Sequence, residues 1–125
     1  TISSWIRQAR YRANKRNIYS ELSIADIQDI IADFDDKCAY CGAEAETLDH
    51  PFPIKKTAPN VQANVLPSCK NCKTFKKTND IVWLFMQGRL QQTKYLAILS
   101  SMFTRKGGDT LKAHVKLVTG LQDDQ

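Results

Sequence analysis

No cysteine in this 125-residue chain stands alone, no proline lies outside residues 51–67, and histidine occurs only twice. Each scarcity excludes something. No apolar run approaches the roughly 20 residues needed to cross a bilayer, which argues against a membrane function. The first residues, Thr1-Ile2-Ser3-Ser4-Trp5-Ile6-Arg7, show no charged n-region followed by an apolar core, so nothing in them points to export. No internal repeat or low-complexity linker appears, and the length suits one domain whose 42% hydrophobic residues can build a modest core. Residues 1–20 hold five bases and no acid, whereas residues 21–36 hold six acids and no base. The net charge of +5 is therefore concentrated on the N-terminal arm and on residues 37–77, which carry seven lysines against three acids. A surface that binds a polyanion needs that distribution.

The cysteines that are present form two pairs, Cys38-Ala39-Tyr40-Cys41 and Cys69-Lys70-Asn71-Cys72, separated by 27 residues. Four thiolates at this spacing suit one tetrahedral zinc. Paired disulfides are the alternative, but cysteines three apart on a tight turn rarely bridge each other, and crossed bridges need specific Cα distances. Between the pairs lies Leu48-Asp49-His50-Pro51-Phe52-Pro53. A His50–zinc bond would be surplus to four cysteines.

Periodicity divides the chain into a helical basic part (1–36), a cysteine-bounded part (37–77) and C-terminal helices (78–125) within one domain. Trp5, Ile6, Ala9 and Ala13 share one stripe of a helix from Ile2 to about Lys15. Ser23 and Asp26 form the N-terminal signal of a second helix, whose acids are expected to face water. The four prolines favour short strands near Thr47-Leu48-Asp49-His50 and Val65-Leu66, followed by a helix from about Lys70. Asn79-Asp80 caps the next helix, Gly88 breaks or bends it, and Gly107-Gly108 precedes a last helix and a polar tail. Trp83, Phe85, Tyr95 and Phe103 are expected in the core, Tyr11 and Tyr19 in the core or at its rim, and His114 on an exposed helix face.

The order strand, loop, strand, helix, with cysteine pairs at both ends, resembles the HNH family of ββα-metal nucleases over roughly residues 38–77. The residues that carry the likeness are Cys38-x2-Cys41, Leu48-Asp49-His50-x2-Pro53, Asn64-Val65-Leu66-Pro67-Ser68-Cys69-x2-Cys72 and Lys76. The resemblance implies an α+β fold: a ββα-metal (His-Me finger) motif with a structural zinc, flanked by N- and C-terminal helices. It further implies a DNA endonuclease that hydrolyses phosphodiester bonds by a one-metal mechanism. His50 would be the general base, Asp49 a ligand of a catalytic Mg²⁺ or Mn²⁺, and Asn64 a brace across the loop that aims the histidine. Outside such a frame, an Asp-His pair is ordinary surface.

One position departs from the family. The residue after the second cysteine pair is usually a His or Asn metal ligand, and here it is Lys73, whose ammonium has no lone pair to donate. Asn71, two residues earlier on the helix, is a poor substitute, because its side chain points to the opposite face. Three readings follow: Lys73 contacts the phosphate in a working enzyme; it leaves a catalytically impaired zinc module that binds DNA; or it is an introduced replacement that disables the site. Lys70, Lys73, Lys76 and Lys77 are expected to contact the backbone, with Arg7, Arg10, Arg12, Lys15 and Arg16 as a second strip. An interaction protein with a basic face for an acidic partner is a further option. By analogy alone, the setting is the cytoplasm of a bacterium or of a phage-infected host.

Overall fold

Thr1 begins the first helix by accepting the Ser4 N–H on its hydroxyl at 3.1 Å, and α1 runs Ile2–Lys15 with Ile6, Ala9 and Ala13 buried. These and the following coordinates come from a computed structural model that describes residues 1–120. After α1 a two-residue strand, β1 (Ser20–Glu21), leads to Ser23. The Ser23 hydroxyl accepts the Asp26 N–H while the Asp26 carboxylate accepts the Ser23 N–H, the reciprocal box that opens α2 (Ile24–Asp33). Asp26 is buried rather than turned to water, because this cap draws it inward and the Lys106 ammonium lies 3.5 Å away.

Residues 37–77 fold as a hairpin and a helix. Strand β2 (Thr47–Asp49) pairs antiparallel with β4 (Leu66–Ser68), setting Asp49 opposite Leu66, and α3 (Lys70–Lys76) follows directly. The connection between the two strands contains 3₁₀ turns at Ile54–Lys56 and Gln62–Asn64 and a short strand, β3 (Asn60–Val61). β3 pairs parallel with β1, Ser20 beside Asn60, so the N-terminal part is stitched to the middle of the hairpin loop. The sequence contains no signal for two-residue strands of this kind.

Asp80 accepts the Trp83 N–H and caps α4 (Ile81–Met86). Gly88 sits at φ +76° and ends the helical run, so the expected long helix is two pieces, α4 and α5 (Gln92–Thr104). Gly107, at φ +82°, starts α6 (Gly108–Thr119), and a side chain there would put a carbon 2.6 Å from the Val61 Cβ. Glycine lets this corner press on the loop that carries Asn60. The polar tail expected after α6 lies outside the described residues.

The described residues thus form six α-helices and two two-stranded sheets with one cysteine cluster. The main core joins Phe52, Val61 and Leu66 to Ile81, Leu84, Met102 and Leu111, with Cys38 and Cys69 inside it. A second joins Ile6 and Ile27 to Leu48 and Val65, and a third joins Ala9 and Ala13 to Ile54. Hairpin and loop residues contribute to all three. Trp83, Phe85, Tyr95 and Phe103 pack against the main core while keeping one edge in solvent. Tyr11 and Tyr19 are well exposed, unlike expectation, while His114 is half-buried, which lowers its pKa. No helix among the described residues is long and apolar enough to cross a membrane.

Candidate metal centre and basic cleft

The four thiol sulfurs of Cys38, Cys41, Cys69 and Cys72 lie within 4.8 Å of one another, and none is in a disulfide. Tetrahedral zinc with bonds of about 2.3 Å requires sulfurs about 3.8 Å apart. The Cys41–Cys69 separation is 3.6 Å. Cys69 is also the N-cap of α3, accepting the Cys72 N–H on Sγ, so the second pair is held by the start of the helix it opens. Burial opposes ionisation of Cys38, but the N–H groups of Cys69, Cys41 and Tyr40 outweigh it and bring its pKa to about 7. Cys72 is pushed up by burial and by the crowding of its neighbours. A bound dication relieves that crowding, and the donor set fits a structural metal such as zinc.

A second site opens at the end of β2, where a cleft of about 260 Å³ is lined by Trp5, Arg12, Arg16, Asp49, His50, Lys55, Lys73, Lys76 and Lys77, among others. The His50 imidazole is buried against the Trp5 ring, with centroids 4.9 Å apart and planes 26° from parallel. Its Nε2 donates to the Asn60 side-chain oxygen at 2.9 Å, since an amide oxygen only accepts. Asn60 is itself held by the hydrogen bond that its side-chain N–H donates to the Ser20 hydroxyl. The proton on Nε2 leaves the lone pair on Nδ1. Among the described residues no side-chain polar atom is both sealed from solvent and unpartnered, and His50 lines the cleft. Burial pulls the His50 pKa down to about 3; the Asn60 hydrogen bond opposes this, and Arg12, Lys76 and Lys73 add to it. The ring is neutral at pH 7.

Asp49 and His50 sit side by side, as their order in the chain requires, but their partners were not legible there. The Asp49 carboxylate accepts the Tyr40 hydroxyl at 2.6 Å on Oδ2, and the Lys76 ammonium lies 3.1 Å from Oδ2 and 3.4 Å from Oδ1. Lys76 is only 1% exposed, so it is an internal cation rather than the surface contact expected of it. Lys73 reaches from α3 to β2 to donate to the Leu48 carbonyl at 2.7 Å, with the Thr47 hydroxyl 3.5 Å away. A magnesium-class ion takes oxygen donors and keeps several waters. Around Asp49 such an ion would meet an ammonium, which has no lone pair to give, and a carboxylate already engaged on both oxygens, a set that does not fit it. Among the described residues the four cysteines are the only group of three or more metal-capable side chains.

Asn64 is wholly buried inside the loop between β2 and β4. Its amide donates to the Phe52 and Pro59 carbonyls at 2.7 and 2.9 Å, and its oxygen accepts the Phe52 N–H. It ties the two ends of the loop together just beyond His50. Of the N-terminal bases, Arg12 and Arg16 line the cleft while Arg7, Arg10 and Lys15 are exposed elsewhere on α1. Lys70 on α3 and Lys77 just past its end are exposed, and Asn71 faces solvent. Sequence reasoning missed Asn60, Trp5 and Tyr40 as parts of the site. No protein-family model, curated protein or solved structure matches the chain.

Proposed function

We propose that the chain is a zinc-stabilised, HNH-like endonuclease whose cleft receives a DNA phosphodiester. The carrying observation is a neutral imidazole, held through Nε2 by Asn60, in the lining of a cleft that six cationic side chains share. The step is a hydrolysis: a water oxygen bonds to phosphorus, its proton passes to His50 Nδ1, and the P–O3′ bond breaks with the leaving oxygen protonated from solvent. Burial is the main cause of the low His50 pKa, and a phosphate entering the cleft offsets the further lowering by Arg12, Lys76 and Lys73. Asn60 holds the ring by its other nitrogen, and Asn64 holds the loop. The zinc-bearing cysteines join the ends of the hairpin to α3.

The reading is tested by incubating supercoiled plasmid with the protein, with and without Mg²⁺ or Mn²⁺, beside a folded His50→Ala variant. The parent is expected to nick or linearise the plasmid, and the variant to be slower by about 10²–10⁴-fold. Equal cutting by both would remove His50 from the chemistry and the reading with it. The Lys76–Asp49 ion pair favours a second reading, a non-catalytic module that binds DNA. Salt-sensitive DNA binding without cutting in every condition would select it.

A further inference from the structure

We infer that this site holds its phosphate with the Lys73 ammonium, while the Lys76 ammonium occupies the carboxylate of Asp49 where a divalent ion would otherwise sit. The inference rests on the phosphodiester reading of the same cleft. Lys76 lies 3.1 Å from Asp49 Oδ2 and donates to the His50 carbonyl at 3.0 Å, so one buried cation is bonded to both members of the Asp-His pair. A dication sharing that carboxylate would be pressed against the ammonium, and displacing Lys76 would leave a buried charge without its partners.

Lys73 stands one helical turn before Lys76, on the same side of α3. Its ammonium spends one N–H on the Leu48 carbonyl and one on the Thr47 hydroxyl, both in β2. An ammonium has three donors, so one remains for a ligand in the cleft that Lys73 lines. Its position is thereby pre-set by the strand that carries Asp49. The compact charge suits a non-bridging phosphate oxygen, and Arg12 and Arg16 line the same cleft from α1. An ammonium cannot acidify water as a metal does, so water activation is left to His50. Any hydrolysis here therefore runs without a divalent ion beyond the structural one.

The test uses zinc-loaded full chain in buffer scavenged of other metals. Nicking of supercoiled plasmid is expected at the same rate before and after adding Mg²⁺ or Mn²⁺, and Lys73→Met is expected to slow it by about 10²-fold. Electron paramagnetic resonance with added Mn²⁺ is expected to show no bound ion up to about 1 mM. Lys73→Met is also expected to reduce the slope of log affinity against log salt, for a short DNA duplex, by about one unit. Cutting that begins only with Mg²⁺ or Mn²⁺, or one Mn²⁺ bound per chain, overturns the inference while leaving the endonuclease reading intact. Silence in every cutting assay removes the endonuclease reading. The inference is then upheld by the reduced salt slope with no bound Mn²⁺, and overturned if Lys73→Met leaves the slope unchanged.

Discussion

His50 shows how one residue's chemistry is set by its surroundings. A free imidazole titrates near neutrality, but this one lies beneath Trp5 with Arg12, Lys76 and Lys73 nearby, and its pKa falls to about 3. Between that value and the unfolded pKa of about 6.5, the unfolded chain binds a proton that the folded chain refuses. The resulting stability is present in full above pH 6.5 and is lost as pH falls toward 3. Denaturant titrations of zinc-loaded protein should therefore show the parent losing stability relative to His50→Gln by up to about 1.4 kcal/mol per pH unit across that window. Trp5→Ala, which lets water reach the ring, should shrink the difference. A parent and a His50→Gln variant that run parallel would show that the ring is not held neutral by the fold.

At the scale of elements, the decisive contact is between α3 and the end of β2, where Lys76 meets Asp49. Truncating one partner of a buried ion pair leaves the other uncompensated, at a cost of about 3–5 kcal/mol, whereas replacing both with apolar groups is often neutral or better. Lys76→Met should thus cost several times what Asp49→Leu/Lys76→Met costs, in urea denaturation read by circular dichroism. Equal costs would mean that the pair carries no mutual dependence. Much around this contact was legible beforehand. Thr47–Asp49 as a strand ending at His50, a helix from Lys70, the Ser23–Asp26 box, the Asp80 cap and the Gly88 break all depend on neighbours within a few residues. The missing parts depend on packing between distant segments. Helical spacing groups Lys73, Lys76 and Lys77 but cannot say that Asp49 and the His50 carbonyl wait on one side of them. Asn60 becomes the partner of His50 only because β3 pairs with β1, some forty residues earlier in the chain. Asp26, placed as a cap by its local signal, is drawn inward by Lys106 from the far end of the chain.

Across the whole molecule, the cysteine cluster sits at a junction rather than at an edge. Cys38 and Cys69 belong to the same core as Ile81, Leu84, Met102 and Leu111, so the cluster bears on the C-terminal helices as well as on the hairpin. The hairpin in turn supplies Leu48, Val65 and Ile54 to the two cores that seat α1 and α2. None of these elements has a large core of its own. Zinc held by four thiolates contributes on the order of 10–16 kcal/mol, as much as the entire stability of a typical domain. A 14-residue helix such as α1 does not persist alone in water. Stripping the metal with a strong chelator at neutral pH should therefore release about one zinc per chain and abolish the helical circular dichroism of the whole chain in one transition. Readdition of zinc should restore it, and Cys72→Ser should raise the chelator sensitivity. Should chelation remove the zinc but leave most of the helical signal, the three cores would be self-sufficient and the cysteine cluster a local clasp.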